Sequence, residues 1–331
     1  MSLVLIPTCF VVSGLLCWMV KQAGVLDHPN HRSSHSVPIP RGGGLGILAA
    51  FGVGLLWASH FGFDARPLAL TAAGFGLLGL LDDLMALGTK LKFAIVIILA
   101  SVITVWVGPV ASMGLAPGMA TNLPYLAGFA GSVLWIFVAA NATNFMDGSD
   151  GLIIAIFLPV ALGLSVMGGG AVAVTGMALA AGLTGFAIFN IPRARLFLGD
   201  VGSLAIGGVV AVAALQMIEA PTDVWLFPLL IMPVLADVLL TLVGKIRNRI
   251  GFLAPHRTHA YQLLVRMGWP HWRVALVYFL VSTVCVALAH AGREVGGFAP
   301  FGLFVVAVIG LSALHAGVRR AAIRSRLDLS G

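Results

Sequence analysis

Residues 92–109 read KFAIVIILASVITVWVGP, a run whose one charge, Lys92, stands at its start. Its length is close to the roughly 20 apolar residues that a helix needs to cross a bilayer. Backbone groups in lipid find no water, so a helix that satisfies its own hydrogen bonds is the expected form. The pattern repeats on both sides. Further apolar stretches fall at about 2–20, 44–60, 67–82, 124–141, 152–168, 171–190, 203–219, 224–243, 273–291 and 298–317. Only Gly168-Gly169-Gly170 separates the sixth stretch from the seventh. The spacing predicts an all-α polytopic membrane protein, one domain over 1–331 with about eleven transmembrane helices. Its longest connection is a loop at 244–272.

Composition points the same way. Of 331 residues, 60% are hydrophobic and only 9% are charged, against about 25% charged in ordinary soluble domains. That shortage of polar surface excludes a soluble enzyme, a disordered chain and a basic nucleic-acid module, so no nucleic-acid partner is expected. No Lys or Arg precedes the first apolar run and no small-residue cleavage site follows it, so it reads as a span and not as a signal peptide. Cys9, Cys17 and Cys285 lie in apolar runs without metal-ligand spacing and read as small buried side chains.

The basic residues orient the chain. Of the 19 Lys and Arg, all but Arg66 and Arg293 fall in connections on one side of the predicted spans. By the positive-inside rule that side is cytoplasmic. The N-terminus is then outside, the C-terminus is inside, and the 244–272 loop is cytoplasmic. The basic loop also suits anionic lipid headgroups. Asp64, Glu219, Asp223 and Glu294 fall outside and read as solvated loop residues. Asp237 lies within the ninth span. A carboxylate there is either functional or the partner of a polar group on a neighbouring helix.

Five polar clusters crowd the cytoplasmic ends of the spans. The first, Asp27 to Gly44, offers imidazoles, guanidinium groups and hydroxyls suited to phosphate oxygens; its glycines read as part of a helix interface. The second, Leu81-Asp82-Asp83-Leu84, sets two carboxylates at a helix C-terminus, where the macrodipole disfavours anions. A compensating cation is expected: a divalent metal, a lysine such as Lys90 or Lys92, or both. In the third, Asn141, Asn144, Asp147 and Asp150 recur every third position, which predicts nearly one face of a helical turn. These residue types suit a nucleotide base edge and a metal–water shell, and no EF-hand loop is present. In the fourth, Asp200 stands between Gly199 and Gly202 and is favoured for metal binding, with Ser203 the better placed helix cap. In the fifth, the i, i+3 spacing of His256 and His259 would allow one helix face beside Arg257, without a zinc frame. Phosphate contact is the economical reading.

Taken in order, HPNHRSSHSVPIPRGGG (28–44), LLDDL (80–84), NATNFMDGSDGL (141–152), FLGDVGS (197–203) and HRTHAYQLL (256–264) resemble the polyprenyl-phosphate N-acetylhexosaminyl-1-phosphate transferases. This is glycosyltransferase family 4, which includes O-antigen and teichoic-acid linkage initiators and the peptidoglycan translocase. The resemblance implies a bacterial inner-membrane enzyme. A cytoplasmic UDP-N-acetylhexosamine would donate sugar-1-phosphate to undecaprenyl phosphate and leave UMP. Mg²⁺ would be required, with Mn²⁺ as an alternative, and a homodimer is one allowed assembly. By motif position, Asp200 is implied as the main Mg²⁺ ligand, with Asp147 beside it. Asp82 or Asp83 is implied as the base toward the acceptor phosphate or as a metal partner. Lys92, Arg32, His35 and Arg195 are expected on phosphates. Asn144, Asp147 and Asp150 are expected along the nucleotide, and His256, Arg257 and His259 on the diphosphate or sugar. The aspartates are thus expected to converge on one ion.

Two departures stand out. Arg193 replaces a proline, and His-Arg-Thr-His replaces a triple-histidine run. The second favours an O-antigen type initiator, in lipopolysaccharide or other cell-wall biogenesis, over the translocase. Two rivals were weighed. A secondary transporter of an anionic solute predicts midplane polar residues and matching halves. A CDP-alcohol phosphotransferase frame fails because Asp147-Gly148 is followed by Ser149-Asp150.

Overall fold

A computed structural model of the protein describes residues 2–23, 25–27, 37–247 and 257–327. His28, Arg32, His35 and His256 lie outside the described residues. The apolar runs form helices α1 (Ser2–Ala23), α2 (Gly44–His60), α3 (Arg66–Met85), α4 (Thr89–Val107), α5 (Tyr125–Met146), α6 (Leu152–Met167), α7 (Gly170–Asn190) and α8 (Asp200–Gln216). Then follow α9 (Leu226–Leu230), α10 (Met232–Arg247), α11 (Ala260–Arg266), α12 (His271–Val295) and α13 (Ala299–Arg324). Gly168 and Gly169 separate α6 from α7, close to the expected break, and Gly170 opens α7.

Among the described residues seven helices, α1, α3, α4, α5, α7, α12 and α13, are long and apolar enough to cross a membrane. An eighth span forms if α9 and α10 are joined across their 80° bend. The remaining apolar helices, α2, α6 and α8, have 16 or 17 residues. At 1.5 Å per residue they reach only about 25 Å, short of the roughly 30 Å hydrocarbon core. The eleven expected spans therefore reduce to seven or eight that meet the length and composition for crossing.

Helix α8 sits at the centre. Every residue from Val201 to Leu215 is buried, packed by α3, α5 and α2. Helices α1, α2 and α7 form a second layer, and α6 joins α7 to α12. Gly79 permits close approach of α3 to α8: a Cβ there would meet the Asp200 carbonyl oxygen at 2.2 Å. Helix α3 thus lies directly against the start of α8.

Three expectations change. The ninth stretch is not one straight helix but bends at Ile231. Pro233, second in α10, can open a helix but cannot donate to a preceding turn. The fold is not purely helical: two short antiparallel ribbons pair Leu26–Asp27 with Ile39–Pro40, and Ser112–Gly114 with Ala120–Asn122. Asp223 is no solvated loop residue. It is buried and accepts the Glu219 and Ala220 amides at 2.9 and 2.8 Å. Asp64 does stay exposed, and Arg66 beside it holds its carboxyl down to about 2.

Candidate active site

The last turn of α3 places Asp82 and Asp83 about 100° apart around the helix, so they meet different neighbours. Asp82 faces the first turn of α4, where Lys92 Nζ donates to its Oδ2 at 2.7 Å. The same ammonium donates to Asn144 Oδ1 at 3.1 Å and to the Asp200 carboxylate. Asn144 Nδ2 in turn donates to Asp200 Oδ1 at 2.8 Å and to Ser203 Oγ at 2.9 Å. One network therefore joins α3, α4, α5 and α8. Of the expected cations, Lys92 is the one that pairs with Asp82.

Asp83 is engaged elsewhere. Its two oxygens accept the Asp200 and Val201 amides at 3.1 and 3.0 Å. The carboxylate thus caps the N-terminus of α8, where the helix dipole favours an anion. Ser203, expected to cap α8, lies inside it because the helix begins at Asp200. Gly199 makes the cap reachable. Its φ is +79°, and a Cβ there would meet Asp83 Oδ2 at 2.6 Å. Arg41 completes the corner: its guanidinium donates to the Asp83 carbonyl, and its Nη1 lies 3.8 Å from the carboxylate. The Gly43 and Gly44 amides bond the Phe197 and Leu198 carbonyls, both at 2.8 Å, so this glycine run ties α2 to the loop before Asp200.

These elements surround a cavity of about 270 Å³ whose lining includes Asp83, Asp147, Asp200, Arg41, Arg257 and Tyr261. Asp147 ends α5 and is half-buried. Among the described residues no hydrogen bond reaches its carboxylate. Burial, then the negative charges of Asp200, Asp83 and Asp150, pushes its carboxyl up to about 8.

The other expected residues are placed as follows. Asn141 does not join the network, since its Nδ2 donates to the Phe137 carbonyl of its own helix at 2.8 Å. The three-residue spacing fails as a single face because α5 ends at Met146. Asp150 lines the cavity, but its Oδ2 accepts the Ala194 amide at 3.1 Å. Burial pulls its carboxyl upward, yet His271, the Ala194 amide and Arg193 outweigh that and hold it below its ordinary value. Arg195 is exposed and donates to the Ile188 carbonyl at 2.5 Å, outside the cavity. His259 is buried with Nδ1 3.4 Å from Asp237 Oδ1 and does not line the cavity, whereas Arg257 does.

A divalent ion such as Mg²⁺ calls for hard oxygen donors. Asp147 and Asp200 offer hard oxygens, and no hydrogen bond from the described residues occupies the Asp147 carboxylate. Mg²⁺ is commonly held by one or two carboxylates, with waters and substrate phosphates completing its shell. Among the described residues no group of three or more His, Cys, Asp or Glu side chains forms a closed cage. The residues fit an open site. They do not fit convergence of all the aspartates on one ion, because Asp82 does not line the cavity and both oxygens of Asp83 accept amides of α8.

Several contributors were not singled out from sequence. Arg41, Tyr261 and Gln262 line the cavity, and all lay within quoted motifs. Asn190 accepts the Gly151 amide at 2.7 Å and donates to the Leu196 carbonyl at 3.0 Å, bracing two site loops. Only its position shortly before FLGDVGS hinted at that.

Fold and cavity together define a helical membrane protein with an acid- and base-lined pocket where helix ends meet. Residues 66–218 match the glycosyl transferase family 4 profile. The chain is 30% identical over 304 residues to the probable undecaprenyl-phosphate N-acetylglucosaminyl 1-phosphate transferase of Bacillus subtilis (strain 168), covering 84% of this chain and 80% of the relative. It is 30% identical over 310 residues to the decaprenyl-phosphate N-acetylglucosaminephosphotransferase of Mycobacterium leprae, 82% of this chain and 77% of that one. It is 28% identical over 271 residues to the phospho-N-acetylmuramoyl-pentapeptide-transferase of Halalkalibacterium halodurans, 76% and 82% respectively. The chain belongs to this family of polyprenyl-phosphate hexosamine-1-phosphate transferases.

Proposed function

We propose that the chain transfers N-acetylhexosamine-1-phosphate from a UDP-sugar to undecaprenyl phosphate, giving undecaprenyl-diphospho-N-acetylhexosamine and UMP. The product would initiate O-antigen or another cell-envelope polysaccharide. The observation that carries the reading is the Asp82–Lys92–Asp200–Asn144 network beside a cavity that also presents Asp147, Arg41 and Arg257.

Joining two phosphorylated substrates requires that their mutual repulsion be offset. Lys92 supplies a compact charge, fixed between two carboxylates before any substrate arrives. Arg41 and Arg257 offer planar donors to phosphate oxygens. Asp147 and Asp200 would hold Mg²⁺, which when bound neutralises phosphate charge and polarises the phosphoryl oxygens. Asp82 holds Lys92 in place and is the nearest carboxylate to it that does not line the cavity. Asp83 fixes the start of α8 and so the position of Asp200.

The reading places the cavity on the cytoplasmic side of the bacterial inner membrane. The distribution of Lys and Arg supports that orientation. A transporter is not favoured, since the relatives bear transferase names and the site carboxylates gather at helix ends.

The test is purified protein in detergent with undecaprenyl phosphate and a panel of UDP-N-acetylhexosamines, with and without Mg²⁺. UMP release that needs both substrates and the ion supports the reading. Failure with every donor overturns it.

A further inference from the structure

The proposed chemistry leaves one buried carboxylate unused. Asp237 is 3% exposed, in the second turn of α10. Its Oδ1 accepts the Ala260 amide at 2.7 Å and lies 3.4 Å from both Thr241 Oγ1 and His259 Nδ1. Its Oδ2 accepts the Tyr278 hydroxyl at 2.6 Å and the Tyr261 amide at 3.2 Å. One side chain thus joins α10, the start of α11 and α12. Thr241 extends the link to His315 of α13, at 3.3 Å.

What it holds is part of the cavity wall. Arg257, Tyr261 and Gln262 line the cavity at the start of α11. Gln262 also turns back to accept the His259 amide at 3.2 Å. Tyr261 reaches across to donate its hydroxyl to the Phe145 carbonyl at 3.2 Å, two residues before Asp147. A Cβ on Gly148 would meet that hydroxyl at 2.3 Å, so the tyrosine rests on the turn that follows Asp147. Helix α11 has seven residues, too few to persist without tertiary support. A fixed acceptor for its first amides replaces that missing cooperativity.

We propose that Asp237 is a positioning residue for the nucleotide-sugar side of the site: it clamps the start of α11 and thereby sets Arg257, Tyr261 and Gln262 against the Asp147–Gly148 turn. The assignment of substrate side rests on the proposed function. Helix α11 lies in the polar connection between α10 and α12, where the water-soluble donor arrives, and not along a lipid-facing span.

The test combines kinetics with hydrogen exchange. Asn at 237 keeps one acceptor oxygen and puts an NH₂ where two donors converge. Asp237→Asn should raise the KM for the UDP-sugar about tenfold and change kcat and the KM for undecaprenyl phosphate by less than about threefold. Combined with Arg257→Ala it should cost less than the product of the two single effects, because both act through one segment. Amides of 259–266 should lose protection while α3 and α8 keep theirs. Should Asp237→Asn not fold, Tyr278→Phe keeps the carboxylate and should give the same pattern at about threefold. Unchanged donor KM with unchanged exchange at 259–266 overturns the clamp. So does loss of protection spread evenly over the protein. If the wild type turns over no UDP-sugar, the functional reading falls, and the exchange arm still decides whether Asp237 holds α11.

Discussion

Asp147 and Asp237 are both carboxylates set beside α11, yet their surroundings are opposite. Asp237 is enclosed, and donors from α10, α11 and α12 face both its oxygens. Asp147 opens on the cavity, and no hydrogen bond from the described residues reaches its carboxylate. Buried polar groups are normally satisfied, and an exception calls for a reason. The contrast separates a carboxylate whose acceptors are filled by the fold from one whose acceptors are left for a ligand. The same division runs through the adjacent pair on α3, where Asp83 caps α8 while Asp82 steadies Lys92.

The largest effect should come from the network beside Asp147, at the start of α8. Asp200→Asn should cut UMP release by on the order of 10³-fold or more, while the protein keeps its thermal midpoint within a few degrees. Robust turnover in that variant would remove Asp200 from the chemistry. A smaller effect, on stability, should follow from Lys92→Met. It strips the shared cation from Asp82 and Asp200, both largely buried, and should cost about 3 kcal/mol. Thermal unfolding would read the loss, and added Mg²⁺ should recover part of it. No recovery would mean that the ion does not bind near these carboxylates.

The smallest effect concerns protons. Burial and neighbouring anions raise the Asp147 carboxyl to about 8, from 3.8. The folded state therefore binds that proton more tightly than the unfolded chain does. Its contribution to stability is complete below about pH 4 and is lost as the pH rises through about 8. In metal-free buffer the thermal midpoint should fall across that window, and Asp147→Asn should remove its share of the slope. Mg²⁺ should stabilise most at the upper end. An equal slope in the wild type and in Asp147→Asn would show that another group carries it. Asp237→Asn should leave this slope in place, since its partners are hydrogen-bond donors already fixed by the fold.

Much of the helix pattern was legible because apolar runs with glycine breaks depend on local composition. The bend at Ile231 was not, because the residues around it are apolar on both sides and hydropathy reads through them. Pro233 was the available signal. In the site, charge placement called for a cation beside Asp82 but left a metal, Lys90 and Lys92 open, and the structure puts Lys92 there. The role of Asp83 was not legible, because a cap supplied by a residue 117 positions earlier in the chain leaves no local spacing. Asp237 stayed ambiguous for the same reason: its partners at 260, 261 and 278 come from two later helices. Asn141 misled because a three-residue period assumed that the helix continued past Met146.

Helix α8, which begins with Asp200, is sheathed by its neighbours from Val201 to Leu215. Hydrophobic mismatch is felt by segments that touch acyl chains, so thinning or thickening of the surrounding membrane acts first on the outer helices. The residue at the heart of the network is mounted on a strut with no lipid contact. Reconstitution into short-chain or long-chain lipids should leave the geometry around Asp200 the same.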